Sequence, residues 1–176
     1  MSKKRLAFNV QHSAFRRSRA GFTLIEIILY MSLLAVFLIT LTDIFVSILD
    51  VSTESEATSS VEQDGRSILA RLNLDITNAD SITIPANLGE TSSNLELTTA
   101  GTTYTYSLYG ERLIISNGTE TDSLNSTETT IPNISFQRIG NVGGKETIRI
   151  QFDIQSVAER PSGPETRSFT TTVGRR

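Results

Sequence analysis

The sequence reads Arg19-Ala20-Gly21-Phe22-Thr23-Leu24-Ile25-Glu26, and a long apolar run follows at once. No charged side chain occurs from Ile27 to Thr42. If residues 22–42 form a helix, a rise of about 1.5 Å per residue makes it roughly 30 Å long, which matches the hydrocarbon core of a bilayer. The sequence therefore predicts one membrane-spanning helix.

Glu26 is a carboxylate placed just inside this apolar run. An ionisable group in a membrane helix costs about 2.5–3.5 kcal/mol on insertion scales, so it normally has a function and a partner. Cleavage after Gly21 would create such a partner, because the new amino group of Phe22 would lie about one helical turn from Glu26. The new amine of a neighbouring copy or relative in an assembly would serve equally well.

The hexapeptide Gly21 to Glu26 resembles the processing motif of the type IV pilin and pseudopilin family. In that family glycine precedes the cut, N-methylated phenylalanine follows it, and glutamate is fifth in the mature chain. The resemblance implies that a prepilin peptidase cuts between Gly21 and Phe22 on the cytoplasmic side and methylates Phe22. It also implies that Glu26 acts in recognition and assembly, when other pilins or pseudopilins and an inner-membrane assembly platform draw the subunit into a helical fibre.

Two other kinds of segment contain a similar apolar run. One is an ordinary signal-anchor with an incidental glutamate. The other is a secretory signal peptide, which would need a shorter apolar core and a cleavage site of small residues at its far end. The far end of this run instead reads Leu41-Thr42-Asp43-Ile44-Phe45-Val46, which disfavours a signal peptide.

The charge of the chain changes sign near Gly21. The segment 1–21 contains no acidic residue and six basic ones, which are Lys3, Lys4, Arg5, Arg16, Arg17 and Arg19. Without these six, ten of the 16 basic residues remain against 19 acidic ones, a net charge of −9. Basic residues that flank a span stay in the cytoplasm. We therefore predict a single-pass inner-membrane protein with a cytoplasmic N-terminus and an exported C-terminal body.

The chain of 176 residues has room for one domain in addition to the span. We expect a removable basic leader over 1–21 and a transmembrane, fibre-core half of a helix over 22–50. The amphipathic half of the same helix should cover 51–79. An exported antiparallel β domain should occupy 80–176.

Beyond Thr42 the apolar residues become periodic. They recur three or four positions apart, provided that small residues at Ser55, Thr58 and Gly65 complete the stripe. The apolar members are Ile44, Ile48, Val51, Val61, Ile68, Leu72 and Ile76. This spacing is typical of an amphipathic helix. We predict a single helix over 23–78, weakest over 50–65, where Ser, Thr and Gly lower the helix propensity.

From Asp80 onward the pattern indicates strands. The alternation of Tyr104, Tyr106 and Leu108 has the period of a half-buried strand, and Asn117-Gly118 is a hairpin signal. The predicted strands cover 81–85, 95–99, 102–108, 112–116, 119–124, 133–139, 146–155 and 166–173, with a polar loop at 86–94. The sequence thus predicts an α+β, pilin-like fold in which a long N-terminal helix packs on a C-terminal antiparallel sheet.

Residues suited to catalysis are scarce. The only histidine, His12, lies in the leader, and the chain has no cysteine, so the common nucleophile and zinc-ligand sets are missing after Gly21. The segment from Gly140 to Lys145 has the wrong spacing for a phosphate-binding loop, and no acidic loop has the ligand spacing of a calcium site. We expect no catalytic residue, no cofactor and no metal, and a protein that is not an enzyme.

The order of elements carries a second resemblance. A long helix, the segment Arg71-Leu72-Asn73-Leu74-Asp75-Ile76 near its end and a tyrosine-rich hairpin are similar to minor pseudopilins of the J type and minor pilins of the W type. This implies a structural minor subunit that joins or primes the fibre of a type II secretion pseudopilus or a type IV pilus. The alternative is a binding subunit of a DNA-uptake or adhesion apparatus, although a charge of −9 disfavours nucleic acid.

Overall fold

The computed structural model of the protein describes residues 21–141, 143–158, 160 and 162–176. The predicted leader, apart from Gly21, lies outside the described residues. The chain divides into two compact units, the first ending at Ile44 and the second extending from Phe45 to Arg176. Each unit is described by itself below.

A single α-helix, α1 (Leu24–Thr77), begins the described chain. The helix predicted over 23–78 is confirmed. Thr23 is its N-cap, because the carbonyl oxygen of Thr23 accepts the first helical hydrogen bond from the backbone of Ile27 at 3.2 Å. The segment 50–65, predicted to be the weakest part, is helical throughout.

In the first unit most side chains are not covered by other parts of the described chain. From Gly21 to Ile44 every residue is exposed except Glu26, which is half-buried. The helix contains a stretch that is long and apolar enough to cross a membrane, and none of that stretch is buried within the protein. The segment predicted to span the membrane is therefore helical, and the protein does not cover its apolar side chains.

In the described residues of the second unit, nine strands follow α1. They are β1 (Ser81–Ile84), β2 (Thr91–Ser92), β3 (Leu95–Thr99), β4 (Thr102–Tyr109), β5 (Arg112–Ser116), β6 (Thr121–Ser123), β7 (Thr129–Ile139), β8 (Thr147–Ser156) and β9 (Thr166–Gly174). All pairings are antiparallel, in a five-stranded sheet of order β1-β3-β4-β5-β6 and a four-stranded sheet of order β2-β7-β8-β9. The α+β architecture is confirmed, with two sheets where one was predicted.

One strand was missed and another was predicted to start too late, while the other limits differ from the prediction by at most two residues. The polar loop 86–94 contains β2, which is only two residues long and therefore has no alternation to read. Strand β7 begins at Thr129 instead of Asn133. A shift in the register between Thr130 and Asn133 interrupts the alternation there, as a β-bulge does, and hides the first residues of the strand.

The core of the second unit joins α1 to both sheets. Val61, Ile68, Leu72 and Ile76 of the helix belong to one buried cluster with inward-facing residues of the strands. Those strand residues include Leu97, Tyr106, Phe136, Ile148, Ile150, Phe152 and Ile154. The apolar residues whose alternation was predicted along β4, β7 and β8 are therefore the ones that face the core.

The predicted helical stripe is buried within the protein only in its second part. Ile44, Ile48 and Val51 are 62%, 60% and 69% exposed, and the buried face of α1 begins at Ala57. Periodicity shows that a helix face is apolar but not what covers it. Of the small residues expected to complete the stripe, Gly65 is buried whereas Ser55 is exposed.

Candidate functional site

The junction between Gly21 and Phe22 lies just before the helix and is open to its surroundings. Gly21, Phe22 and Thr23 are not helical, and the Phe22 side chain is 71% exposed. A Cβ added to Gly21 would meet no atom of the described residues within 4 Å. An enzyme could therefore approach this peptide bond without unfolding any part of the chain that the structure describes.

Thr23 and Glu26 together start the helix. The Thr23 Oγ1 accepts a hydrogen bond from the backbone N–H of Glu26 at 3.3 Å, which is the first half of a capping box. Glu26 also places a negative charge in the first turn, where it interacts favourably with the helix dipole. The sequence analysis overlooked this cap, although Thr-x-x-Glu is its known signal.

The Glu26 carboxylate has a partner within its own helix. The Tyr30 hydroxyl donates a hydrogen bond to Glu26 Oε1 at 3.2 Å. The Tyr30 ring also meets the Phe22 ring edge to face, with centroids 6.5 Å apart and an interplanar angle of 79°. The structure thus brings Phe22 and Glu26 together through a residue that the sequence analysis did not single out.

A second polar cluster lies at the end of α1 in the second unit. The Asp75 Oδ2 accepts hydrogen bonds from Arg71 Nε at 2.7 Å and from the Tyr106 hydroxyl. Burial raises the pKa of Tyr106 well above its usual value, and the hydrogen bond to Asp75 adds to the shift. The hydrogen bond to Asp75 likewise raises the pKa of Arg71. This cluster fastens the helix to the five-stranded sheet.

Further polar contacts of α1 fasten it to the loops and to β9. Asp64 Oδ2 accepts hydrogen bonds from the backbone N–H of Ser126 at 2.8 Å and from the Thr129 hydroxyl. Glu62 forms an ion pair with Arg167. These acids, together with Asp75, serve packing within the body. No group of three or more His, Asp or Glu side chains that could hold a metal occurs in the described part of the chain.

Comparison with known proteins points to the N-terminal motif. A family model described as the prokaryotic N-terminal methylation motif matches residues 16–42, which include Gly21, Phe22, Glu26 and Tyr30. The chain carries the methylation motif of type IV pilins and pseudopilins. No curated protein and no solved structure matches the chain at a significant level.

A pilin-type motif followed by an apolar helix supports a filament subunit anchored in a membrane. Members of the pilin family are generally structural proteins. The motif implies processing by a prepilin peptidase and assembly with other pilins. The identity of the pilin system and the subunit type are matters of proposal, as are the individual roles of Gly21, Phe22 and Glu26.

Proposed function

We propose that the protein is a minor structural subunit of a type II secretion pseudopilus or a type IV pilus. Prepilin peptidase cuts it after Gly21 and methylates the amine of Phe22. The subunit then joins or primes the fibre. The observation that supports this most strongly is the match to the methylation motif over 16–42, together with a helix from Leu24 whose apolar surface the protein leaves uncovered.

The geometry at the head of the helix supports the roles of the site residues. Gly21 adds no side chain beside the scissile bond, and Phe22 is exposed. Once cut, the chain begins at Phe22, whose ring already lies against the tyrosine that binds Glu26. The new amine and the Glu26 carboxylate carry opposite charges and lie on neighbouring turns, so either can pair within the subunit or with a neighbour.

The exposed apolar residues support the proposed division of the chain. Burying one large aliphatic or aromatic side chain contributes about 1.5–3 kcal/mol, and most residues of 22–51 are of this kind. Lipid before assembly and other subunits afterwards would cover residues 22–50. Residues 51–79 and 80–176 form the exported body in this proposal, and the leader 1–21 is retained in the cytoplasm until its removal.

The proposed partners are the prepilin peptidase, other pilins or pseudopilins, and the assembly platform of the inner membrane. A DNA-binding role in uptake is disfavoured by charge. Ten basic residues follow Gly21, and six of them form ion pairs with carboxylates: Arg66, Arg71, Arg138, Arg160, Arg167 and Arg175. Such pairing reduces the cationic surface that phosphates require. Because the chain after Gly21 contains no histidine and no cysteine, we propose no enzymatic activity.

Co-expression with a prepilin peptidase tests the proposal. The intact mass of the membrane-bound product should correspond to residues 22–176 with one added methyl group, and N-terminal sequencing should begin at residue 22. A catalytically inactive peptidase is the control and should leave the chain intact. A product that still begins at Met1 with active peptidase, or that is cut elsewhere, would overturn the proposal.

A further inference from the structure

We propose that Tyr30 is a positioning residue for Glu26, whose hydroxyl holds the carboxylate on the side of the helix that faces Phe22, ready for the amine that cleavage creates. This inference rests on the proposed function, because only a processed chain has that amine. Phe22, Glu26 and Tyr30 all lie in the first unit. The cluster is thus complete within one segment of one chain.

The direction of helical side chains explains the contact. Side chains of a helix lean towards its N-terminus, so a long residue covers the turn that precedes its own Cα. Tyr30 is four residues after Glu26, and its ring lies over that residue and reaches Phe22. Glu26 is half-buried, whereas every other residue from Gly21 to Ile44 is exposed.

The other hydroxyls of the apolar run are used differently. Ser32 donates to the backbone carbonyl of Leu29 at 2.8 Å, and Thr42 donates to that of Leu38 at 2.8 Å. Thr40 also donates to backbone carbonyls of its own helix. Tyr30 instead carries its donor on a rigid ring that reaches past the backbone to an acidic side chain.

The hydrogen bond has a clear physical value in a membrane. A carboxylate in an apolar medium is unfavourable unless donors satisfy it, and hydrogen bonds to a charged acceptor are stronger than neutral ones. The carboxylate accepts at both oxygens, so the bond from Tyr30 to Oε1 leaves Oε2 able to accept from an amine. Tyr30 therefore stabilises and orients Glu26 while the subunit waits for assembly.

The first test measures the contact itself. The full chain would carry tyrosine labelled with ¹³C at Cζ, whose resonance reports the state of the hydroxyl, and would be placed in phospholipid nanodiscs. The sequence has four tyrosines, and Tyr30→Phe identifies the resonance of Tyr30 by its loss. Glu26→Ala should shift that resonance and leave the resonance of Tyr109 unchanged. An unchanged Tyr30 resonance in Glu26→Ala would overturn the proposal.

The second test measures the function of the hydroxyl. Tyr30→Phe keeps the ring and its contact with Phe22 but removes the donor. We expect this variant to be cut after Gly21 and to enter sheared filaments about three- to tenfold less than the wild type, because a donor to a charged group is lost. The matched control is Tyr109→Phe, the same change at a side chain that is 78% exposed, and it should assemble normally.

The outcomes separate this inference from the proposed function. If Tyr30→Phe enters filaments as well as the wild type does, while both are cut after Gly21, the positioning role is overturned and the filament function stands. If the wild-type chain is not cut after Gly21, the proposed function fails and the inference fails with it. Reduced entry of Tyr30→Phe with normal cleavage, together with the shift in Glu26→Ala, supports both.

Discussion

Gly65 of the helix lies against the ring of Phe169 in β9, so closely that a Cβ on Gly65 would be 2.3 Å from two of the ring atoms. The Phe169 ring is also held by stacking on the ring of Phe152, with centroids 5.4 Å apart. Phe152 is fully buried. The contact between the helix and Phe169 of the four-stranded sheet therefore depends on the missing side chain of Gly65.

Gly65→Ala should destabilise the body. In an exposed helix the change from Gly to Ala stabilises by about 1 kcal/mol, but overpacking against Phe169 should reverse the sign and lower the free energy of unfolding by about 1–3 kcal/mol. Urea denaturation of the full chain in detergent, followed by circular dichroism, measures this. Ser67→Ala, at an exposed position of the same helix, is the control and should be neutral or slightly stabilising.

A double-mutant cycle tests whether the Phe169 ring causes the loss of stability in Gly65→Ala. If the ring is responsible, Phe169→Leu should recover part of the stability lost in Gly65→Ala, and the two effects should not add. Additive losses in the double variant would show that the helix does not depend on this contact. Gly65→Ala that is as stable as Ser67→Ala would show that the ring moves aside at little cost.

Tyr106 should make stability sensitive to alkaline pH. Its pKa is raised in the folded chain by burial and by the hydrogen bond to Asp75, whereas in the unfolded chain it should be near the usual value of about 10. As the pH rises above about 10, the unfolded state loses this proton first and binds fewer protons, so the free energy of unfolding falls. Tyr106→Phe should lower stability at neutral pH and show a shallower decline above this pH.

Measurements of the unfolding free energy between neutral pH and about pH 11 would check the effect of Tyr106. Tyr109→Phe is the matched control, since Tyr109 is 78% exposed and its loss should leave the alkaline decline intact. An alkaline decline of the same steepness in Tyr106→Phe and wild type would contradict the assignment.

Glu26→Val should separate processing from assembly. Removing a charge makes membrane insertion more favourable by about 2–3 kcal/mol, so the variant should insert and be cut. Methylation and filament entry should fall, because the amine loses the carboxylate that pairs with it. Mass spectrometry of the cut chain and blotting of sheared filaments measure both, with Glu56→Val, an exposed acid of the same helix, as the control. Normal filament entry of Glu26→Val would show that the carboxylate has no role in assembly.

Gly21→Val should slow processing. Misplacing a reacting bond by about 1 Å lowers enzymatic rates up to roughly a hundredfold, and a branched side chain beside the scissile bond would cause such a displacement. The effect should arise at the peptidase, since a Cβ on Gly21 meets nothing within 4 Å in the described chain. The rate of cleavage in membranes is the measurement, and Ala35→Val, which introduces the same side chain within the apolar run, is the control. Equal rates for both variants would contradict a glycine requirement.

Periodicity predicted the helix and the larger strands because burial on one face leaves a clear pattern in the sequence. It predicted β3 and β5 with correct limits. It missed β2, which is too short to alternate, and the start of β7, where the register shifts. It could not tell where the buried face of the helix begins, because an exposed apolar face, such as that of Ile44 and Ile48, has the same spacing as one that packs within the protein.

The sequence singled out the residues of the candidate site that belong to a motif, but not the residue whose place in the site depends on side-chain contacts. Gly21, Phe22 and Glu26 stand in a short, specific pattern, and the match over 16–42 falls on it. Tyr30 lies in an apolar run, and nothing beside it in the sequence marks it as part of the site. Only the positions of its hydroxyl and ring show that it contacts both Glu26 and Phe22.

The central claim is that this chain works as a processed subunit inside a fibre, and it can be tested on the fibre directly. Filaments would be sheared from cells expressing the full chain and analysed by mass spectrometry for its N-terminal peptide. We predict a peptide that begins at an N-methylated Phe22 and retains Glu26. Filaments that lack the chain, or that contain it with the basic leader still attached, would contradict the claim.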